Sequence, residues 1–171
     1  FGAGYIPLGA MTARDEIVET VLDSGGFQHG YTYAGNPIAC AAGLAVIDEI
    51  YSNNLMENTS EMGLLLIDGL AQLKDKYDFI GDVRGKGLLT AFELVVDRET
   101  MEPLPTSLNA YHELVEVAYS KGLIIYSRRT RNGTSGDHFL VCPPMITSAD
   151  QIGDILKLLD QSLEEFAEKI L

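Results

Sequence analysis

The stretch His29-Gly-Tyr-Thr-Tyr-Ala-Gly-Asn-Pro37 joins a run of hydroxyl-bearing side chains to the start of a helix. Asn36 is a typical capping residue, and proline is favoured at the first helical position because no backbone amide is needed there. Tyr31, Thr32 and Tyr33 therefore precede a helix N-terminus, where the helix dipole and unpaired amides favour an anion such as a phosphate. On these residues alone, simple helix capping is the commoner interpretation.

From Pro37 onward, the spacing of apolar residues predicts a helix to about Tyr51. Its first turns, Ala-Cys-Ala-Ala-Gly, have such small side chains that we expect another backbone to pack closely there. The last predicted helix has a clear start, because Ser148 and Gln151 have the spacing of a capping box. The sequence predicts four helices, over 36–51, over 54–76, over 107–121 and from 148 towards the C-terminus.

Short β-branched and aromatic runs predict strands at 79–84, 88–96, 122–127 and 138–142. Residues 53–171 are therefore predicted to form a small α/β domain, with a largely antiparallel sheet covered by helices. Residues 1–35 are rich in glycine and show little periodicity apart from Arg14–Leu22. We interpret residues 1–52 as the end of a larger domain together with the connecting helix.

The composition excludes several classes of protein. A net charge of −13 argues against nucleic-acid binding, which needs a basic surface. The apolar run Pro37–Ile47 is too short to span a bilayer, and Phe1–Ala10 lacks the basic start of a signal peptide.

Cys40 and Cys142 are expected to be buried free thiols. The scattered histidines have no metal-ligand spacing, so no zinc site is expected; they are His29, His112 and His138.

Half of the six arginines fall within four residues, as Arg128, Arg129 and Arg131. No acidic residue occurs between Val117 and Gly136, although the chain has 25 of them. The planar guanidinium binds carboxylates in a bidentate manner, so the cluster is a candidate site for an acidic substrate. A solvated basic turn is the alternative for each arginine. If the strand continues, Arg128 and Arg129 point to opposite faces, and only one of them faces the site.

Four segments carry a resemblance to a known family: Gly4–Ala10, residues 29–37, Val83–Leu88 and Val141–Thr147. They resemble segments of the class III (omega-type) aminotransferases, which have PLP-transferase fold type I. Gly4-Tyr5-x-Pro7-Leu8-Gly9-Ala10 is similar to the segment that follows the Schiff-base lysine, and residues 29–37 resemble the cofactor-phosphate loop. Val83–Leu88 is similar to the first turn and strand of the small domain, and Val141–Thr147 resembles the motif before the last helix. Ala34 and Asn36 stand where the family often has serine and histidine.

The resemblance implies pyridoxal 5'-phosphate as cofactor, bound in a homodimer with the site at the subunit interface. The Schiff-base lysine is expected two residues before Phe1, so no catalytic residue is expected within the chain itself. Thr32, with Tyr31 beside it, is implied to bind the cofactor phosphate of the neighbouring subunit. An arginine of the loop between the last two strands is implied to bind the substrate, which fits Arg128, Arg129 or Arg131.

These expectations combine into a cytoplasmic enzyme that transfers an amino group from an amine or omega-amino acid to a keto acid such as pyruvate. The 171-residue chain alone is expected to be inactive. Lys86 in a glycine turn and Lys121 at a helix end are both expected to be structural, and Arg84 is expected to form a structural contact. Two alternatives stay open: another fold type I enzyme, such as an aminomutase or decarboxylase, or a non-catalytic binding module.

Overall fold

The computed structural model describes residues 1–170, apart from the side chains of Arg131 and Ile170. The chain divides into two compact units, Phe1–Leu55 and Met56–Leu171. None of the described helices combines the length and the apolar character that a membrane span requires.

The first unit contains helices α1 (Asp15–Asp23) and α2 (Pro37–Ser52), of which only α2 was predicted. Asn36 caps α2 as expected: its Oδ1 accepts hydrogen bonds from the amides of Ile38 at 3.0 Å and Ala39 at 3.1 Å. The small-sided start of α2 also has a close neighbour. This neighbour is a side chain and not the expected backbone, because a Cβ on Gly43 would lie 2.5 Å from Cδ2 of Leu8.

The second unit follows the predicted order of helices and strands, with one short strand added. Its elements are α3 (Leu55–Lys76), β1 (Ile80–Lys86), β2 (Leu89–Asp97), β3 (Glu102–Pro103), α4 (Ala110–Ser120), β4 (Tyr126–Arg129), β5 (Asp137–Val141) and α5 (Ala149–Ile170). The sheet order is β1-β2-β5-β4, with every pairing antiparallel, and the two-residue β3 adds to β2. The predicted α/β fold class with an antiparallel sheet is therefore confirmed.

The strand predicted over 122–127 begins only at Tyr126. Residues 122 and 123 instead complete the end of α4, because the amide of Gly122 donates to Tyr119 and that of Leu123 donates to Ala118, at 3.0 and 2.9 Å. Gly122 has a φ of +84°. This left-handed conformation is common for glycine just after a helix and does not occur in an extended strand. The predicted start of this strand at residue 122 is therefore wrong.

The core lies between one face of the sheet and helices α3, α4 and α5. Phe92 and Phe139, directly opposite each other on β2 and β5, stack with ring centroids 5.0 Å apart. The helices contribute the buried side chains Leu66, Leu70, Leu114, Leu159, Leu163 and Phe166. We call this the covered face of the sheet. Alternation places Glu93, His138, Tyr126 and Arg128 on the opposite face, here called the open face.

The two cysteines are free, but the expectation that they are buried is wrong. Cys40 and Cys142 are both exposed. Cys40 lies in the first turn of α2, beside the buried Ala39. Cys142 directly follows β5, where alternation from Val141 on the covered face directs it to the other side of the sheet. Apolar neighbours in sequence therefore did not determine burial at either position.

Candidate active site

The two glycine-rich motifs of the first unit line one concavity of about 770 Å³. One wall is formed by residues from Ile6 to Met11, which follow the tight turn at Gly2. The other wall consists of Tyr31, Tyr33 to Asn36, Ala39 and Cys40. The structure therefore brings together the two segments whose sequences indicated a cofactor site.

Tyr31 and Thr32 lie in two consecutive turns before α2, closed by the amides of Ala34 and Asn36, which donate to Tyr31 at 3.0 Å and Tyr33 at 3.1 Å. Tyr31 lines the concavity, whereas Thr32 is not one of its lining residues. Thr32 is exposed, and no hydrogen bond of its hydroxyl group to another described residue is present. The hydroxyl is thus accessible from outside the loop and chemically suited to a phosphate oxygen.

The helix N-terminus contributes less to an anion site than the sequence indicated. Asn36 occupies the amides of Ile38 and Ala39 with its own side chain, and the amide of Cys40 donates to the Asn36 carbonyl at 2.9 Å. These three amides in the first turn of α2 are therefore not free to bind an anion.

The arginine cluster is divided between the two faces of the sheet, as alternation predicted. Arg129 lies on the covered face, where its Nε donates to Asp137 at 3.0 Å and its guanidinium lies 4.2 Å from the ring centre of Tyr111. Arg128 is exposed on the open face, with its guanidinium 5.0 Å from the ring centre of Tyr126. The side chain of Arg131 lies outside the described residues.

Asp137 is the residue of this cluster that sequence reasoning missed. It is only 2% exposed and stands opposite Arg129 in the register of β4 and β5. A buried carboxylate requires a cationic partner, and Arg129 supplies it. The only sequence signal was its position as the first acidic residue after the arginines, across a glycine-containing loop.

A row of charged residues crosses the open face at the level of Arg128. The register aligns Asp82, Glu93, His138 and Arg128 on four neighbouring strands. Arg84 contacts both Asp82 and Glu93, the latter at 3.2 Å, so the structural contact expected of it takes the form of ion pairs. Its hydrogen bond to Asp82 raises the pKa of the Arg84 guanidinium. Among the described residues, no carboxylate is within ion-pair distance of Arg128.

The two lysines that precede glycines have structural surroundings. Lys121 Nζ lies 2.6 Å from Glu165 and so links the end of α4 to α5. Lys86 ends β1 at the turn into β2.

Comparison with known proteins identifies the family. The model of the class III aminotransferases matches residues 1–163. The 4-aminobutyrate aminotransferase GabT of Escherichia coli is 36% identical over 163 residues, which are 95% of this chain and 36% of that protein. A leucine/methionine racemase of Thermococcus litoralis is 33% identical over 168 residues, 96% of this chain and 34% of that protein. The chain spans about a third of the length of these relatives.

Solved structures agree with this match. A transaminase from the marine bacterium Virgibacillus superposes with a TM-score of 0.89 at 29% identity, covering 98% of this chain and 38% of that one. An amine transaminase from an uncultivated Pseudomonas species, solved in its PLP-bound form, gives a TM-score of 0.81 at 33% identity, covering 98% and 36%. The fold is therefore that of the PLP-dependent transaminases. The chain belongs to the class III aminotransferase family.

Proposed function

We propose that this chain is the C-terminal part of an enzyme that transfers an amino group from an amine or omega-amino acid to a keto acid such as pyruvate. The observation that carries the proposal is the pairing of two features in one chain. The class III match covers residues 1–163, and both cofactor-type motifs line one concavity. The family uses pyridoxal 5'-phosphate, which when bound supplies the electron-accepting ring for this chemistry.

Thr32 and Tyr31 are the residues of this chain that we assign to the cofactor. Thr32 would donate its accessible hydroxyl to a phosphate oxygen. Tyr31, which lines the concavity, would bound the site beside it. The Schiff-base lysine would stand two residues before Phe1, so the chain's own contribution is to hold the phosphate and to recognise the substrate.

Arg128 is the residue that we assign to the substrate carboxylate. It is exposed, and no described carboxylate neutralises it, so an anionic ligand can approach its guanidinium. A hydrogen-bonded guanidinium–carboxylate pair is among the stronger polar contacts in proteins. Arg131 stays a second candidate, whereas the guanidinium of Arg129 is already paired with Asp137.

We further propose a cytoplasmic homodimer. In the first unit, Ala39 is the only apolar side chain among the described buried hydrophobics before Leu55, whereas Tyr5, Tyr31 and Tyr33 are all more than three quarters exposed. Exposed aromatic side chains at this density are typical of surfaces that other protein segments cover. A second subunit that contributes to each cofactor site would cover part of them.

The test is to follow the absorption spectrum of the full-length holoenzyme as the amine is added first and, after the amine has been removed, the keto acid. A transaminase runs each half-reaction alone, and the spectrum then changes reversibly between two cofactor forms. If the amine is consumed but the spectrum still shows the original form of the cofactor, amino transfer is excluded.

A reaction without net amino transfer is the alternative, because one similar relative is named a racemase. In that case a single amino acid would change configuration or structure with no keto acid present. Chiral chromatography of the products distinguishes the two outcomes in the same experiment.

A further inference from the structure

Strand β4 is an edge strand of four residues, Tyr126–Arg129, and β5 is its only neighbour among the described strands. So short a pairing provides few backbone hydrogen bonds to fix the strand. Its orientation about its own axis therefore depends on side chains that anchor one face. Because alternate residues point to opposite faces, the anchor also decides the direction of Arg128.

Arg129 is that anchor on the covered face. It pairs with the buried Asp137 at 3.0 Å and its guanidinium lies 4.2 Å from the ring centre of Tyr111 on α4. A third contact, from the other end of the guanidinium to the Thr106 carbonyl, is 3.3 Å long. The side chain is thus fixed from three separate segments of the second unit.

The hairpin loop extends the same anchor. The amide of Thr130 donates to the Gly136 carbonyl at 2.9 Å, directly beside the opposed pair Arg129 and Asp137. Releasing Arg129 would leave the carboxylate of Asp137 buried without a partner. The strand would then relieve this charge only by moving or by admitting water.

We propose that Arg129 is a positioning residue for substrate recognition: through its ion pair with Asp137 it fixes β4 so that Arg128 faces the substrate carboxylate. This inference rests on the proposed function. Two adjacent arginines thereby have different tasks. Arg129 is paired with the buried Asp137, and Arg128 stays exposed on the open face.

The experiment uses the full-length holoenzyme and the variants Arg129→Met, Asp137→Asn and Arg128→Gln. Steady-state kinetics compare a keto acid with an amine that lacks a carboxylate. Phenylglyoxal labelling with peptide mapping reports which arginine is accessible, with and without the keto acid. In the wild-type protein we expect Arg128 to label first and the keto acid to protect it.

In Arg129→Met and Asp137→Asn we expect the KM for the keto acid to rise roughly tenfold, with a smaller change in the amine half-reaction. The keto acid should no longer protect Arg128 from the reagent. The double variant Arg128→Gln/Arg129→Met should be no worse than Arg128→Gln alone, because the two residues act in series. If Arg129→Met does not fold, Arg129→Lys keeps the charge for Asp137 but loses the planar fork, and we expect an intermediate KM.

Three results would overturn the inference. Folded Arg129 variants with an unchanged keto-acid KM would make the pair purely structural. Additive losses in the double variant would make Arg129 itself a substrate ligand. A normal keto-acid KM in Arg128→Gln would show that Arg128 does not recognise the substrate.

Failure of the proposed function can be distinguished from these results, because the wild-type protein would then show no half-reaction. The difference in labelling between Arg128 and Arg129 can still be measured in that case, since it needs no turnover.

Discussion

A guanidinium nitrogen of Arg98 lies 2.7 Å from the carbonyl oxygen of Tyr77, just beyond the end of α3. The same side chain also contacts the Lys74 carbonyl, and its Nε donates to Ile80 at 3.0 Å. The last carbonyls of a helix lack intrahelical partners and carry partial negative charge. Of the three contacted carbonyls, that of Lys74 belongs to the last turn of α3. Arg98, which directly follows β2, therefore ties the end of α3 to the start of the sheet.

We therefore expect Arg98→Met to destabilise the region around residues 74–80 by about 1–3 kcal/mol, as for hydrogen bonds to a charged group. Hydrogen exchange of the full-length protein over these residues measures the free energy of local opening. Arg14→Met is the matched control, because Arg14 is exposed and, among the described residues, its only ion pair is with Glu16 on the surface. Equal effects of both substitutions in their own segments would show that Arg98 is not a cap.

Local sequence patterns were sufficient where local contacts decide the structure. Ser148 and Gln151 show this for α5. The amide of Ser148 donates to Gln151 Oε1 at 2.9 Å, and the amide of Gln151 donates to Ser148 Oγ at 3.3 Å. Both partners are visible within four residues of sequence, so the helix start was predictable.

Contacts between distant segments could not be predicted in this way. Asn58 Nδ2 donates to the carbonyls of Met145 and Thr147, 87 and 89 residues away, at 2.7 and 3.0 Å. At the candidate site, alternation predicted that the side chains of Arg128 and Arg129 point to opposite faces of the sheet. It did not predict which one is buried, because that depends on Asp137 and on Tyr111 of α4.

A second prediction concerns pH. Hydrogen bonds from Lys121 and then Lys169 lower the pKa of Glu165 to about 2 from its ordinary 4.5. A carboxyl group whose pKa is lowered in the folded state stabilises that state at every pH above its ordinary pKa. This stabilisation is lost as the pH falls from about 4.5 towards 2. Glu165→Gln should therefore lower the Tm at pH 6, and its difference from the wild-type protein should shrink steadily below pH 4.5.

Glu164→Gln is the control for this pH effect. Glu164 is the exposed neighbour on the same helix and forms no ion pair with another described residue. Its substitution should leave the dependence of Tm on pH close to that of the wild-type protein. A Glu165→Gln difference that is constant between pH 6 and pH 3 would contradict the assigned ion pairs.

A third prediction concerns the two lysine–glycine pairs. We expect the 171-residue chain alone, treated with pyridoxal phosphate and borohydride, to form no stoichiometric adduct at Lys86 or Lys121. The Lys121 ammonium is held by Glu165 at 2.6 Å, and Lys86 lies at the turn between β1 and β2. Peptide mapping of the reduced product decides the matter. A site-specific adduct at either lysine, together with turnover, would refute the assignment of the Schiff base to a lysine before Phe1.

The fourth prediction is that Thr32 binds the cofactor phosphate. Thr32→Val keeps the side-chain shape and removes only the hydroxyl, so the affinity of the full-length enzyme for pyridoxal phosphate should fall roughly 10- to 100-fold, about 1.5–3 kcal/mol. Equilibrium binding measures this directly. Tyr31→Phe removes the neighbouring hydroxyl as a comparison. If Thr32 merely stabilises the loop before α2, Thr32→Val would lower the Tm equally with and without cofactor and leave the affinity unchanged.

The subunit that receives this phosphate contact is decided by a mixed dimer, in which one subunit carries Thr32→Val and the other lacks the Schiff-base lysine. If Thr32 acts across the interface, as we propose, the weakened phosphate site lies in the subunit without the lysine. The lysine-bound cofactor of the Thr32→Val subunit then keeps near-normal affinity, because its phosphate contacts the intact Thr32 of the partner. Cofactor should also stabilise the dimer, since a ligand bound by both chains favours their association. Weakened cofactor at the Thr32→Val subunit's own lysine would instead place the contact within one chain.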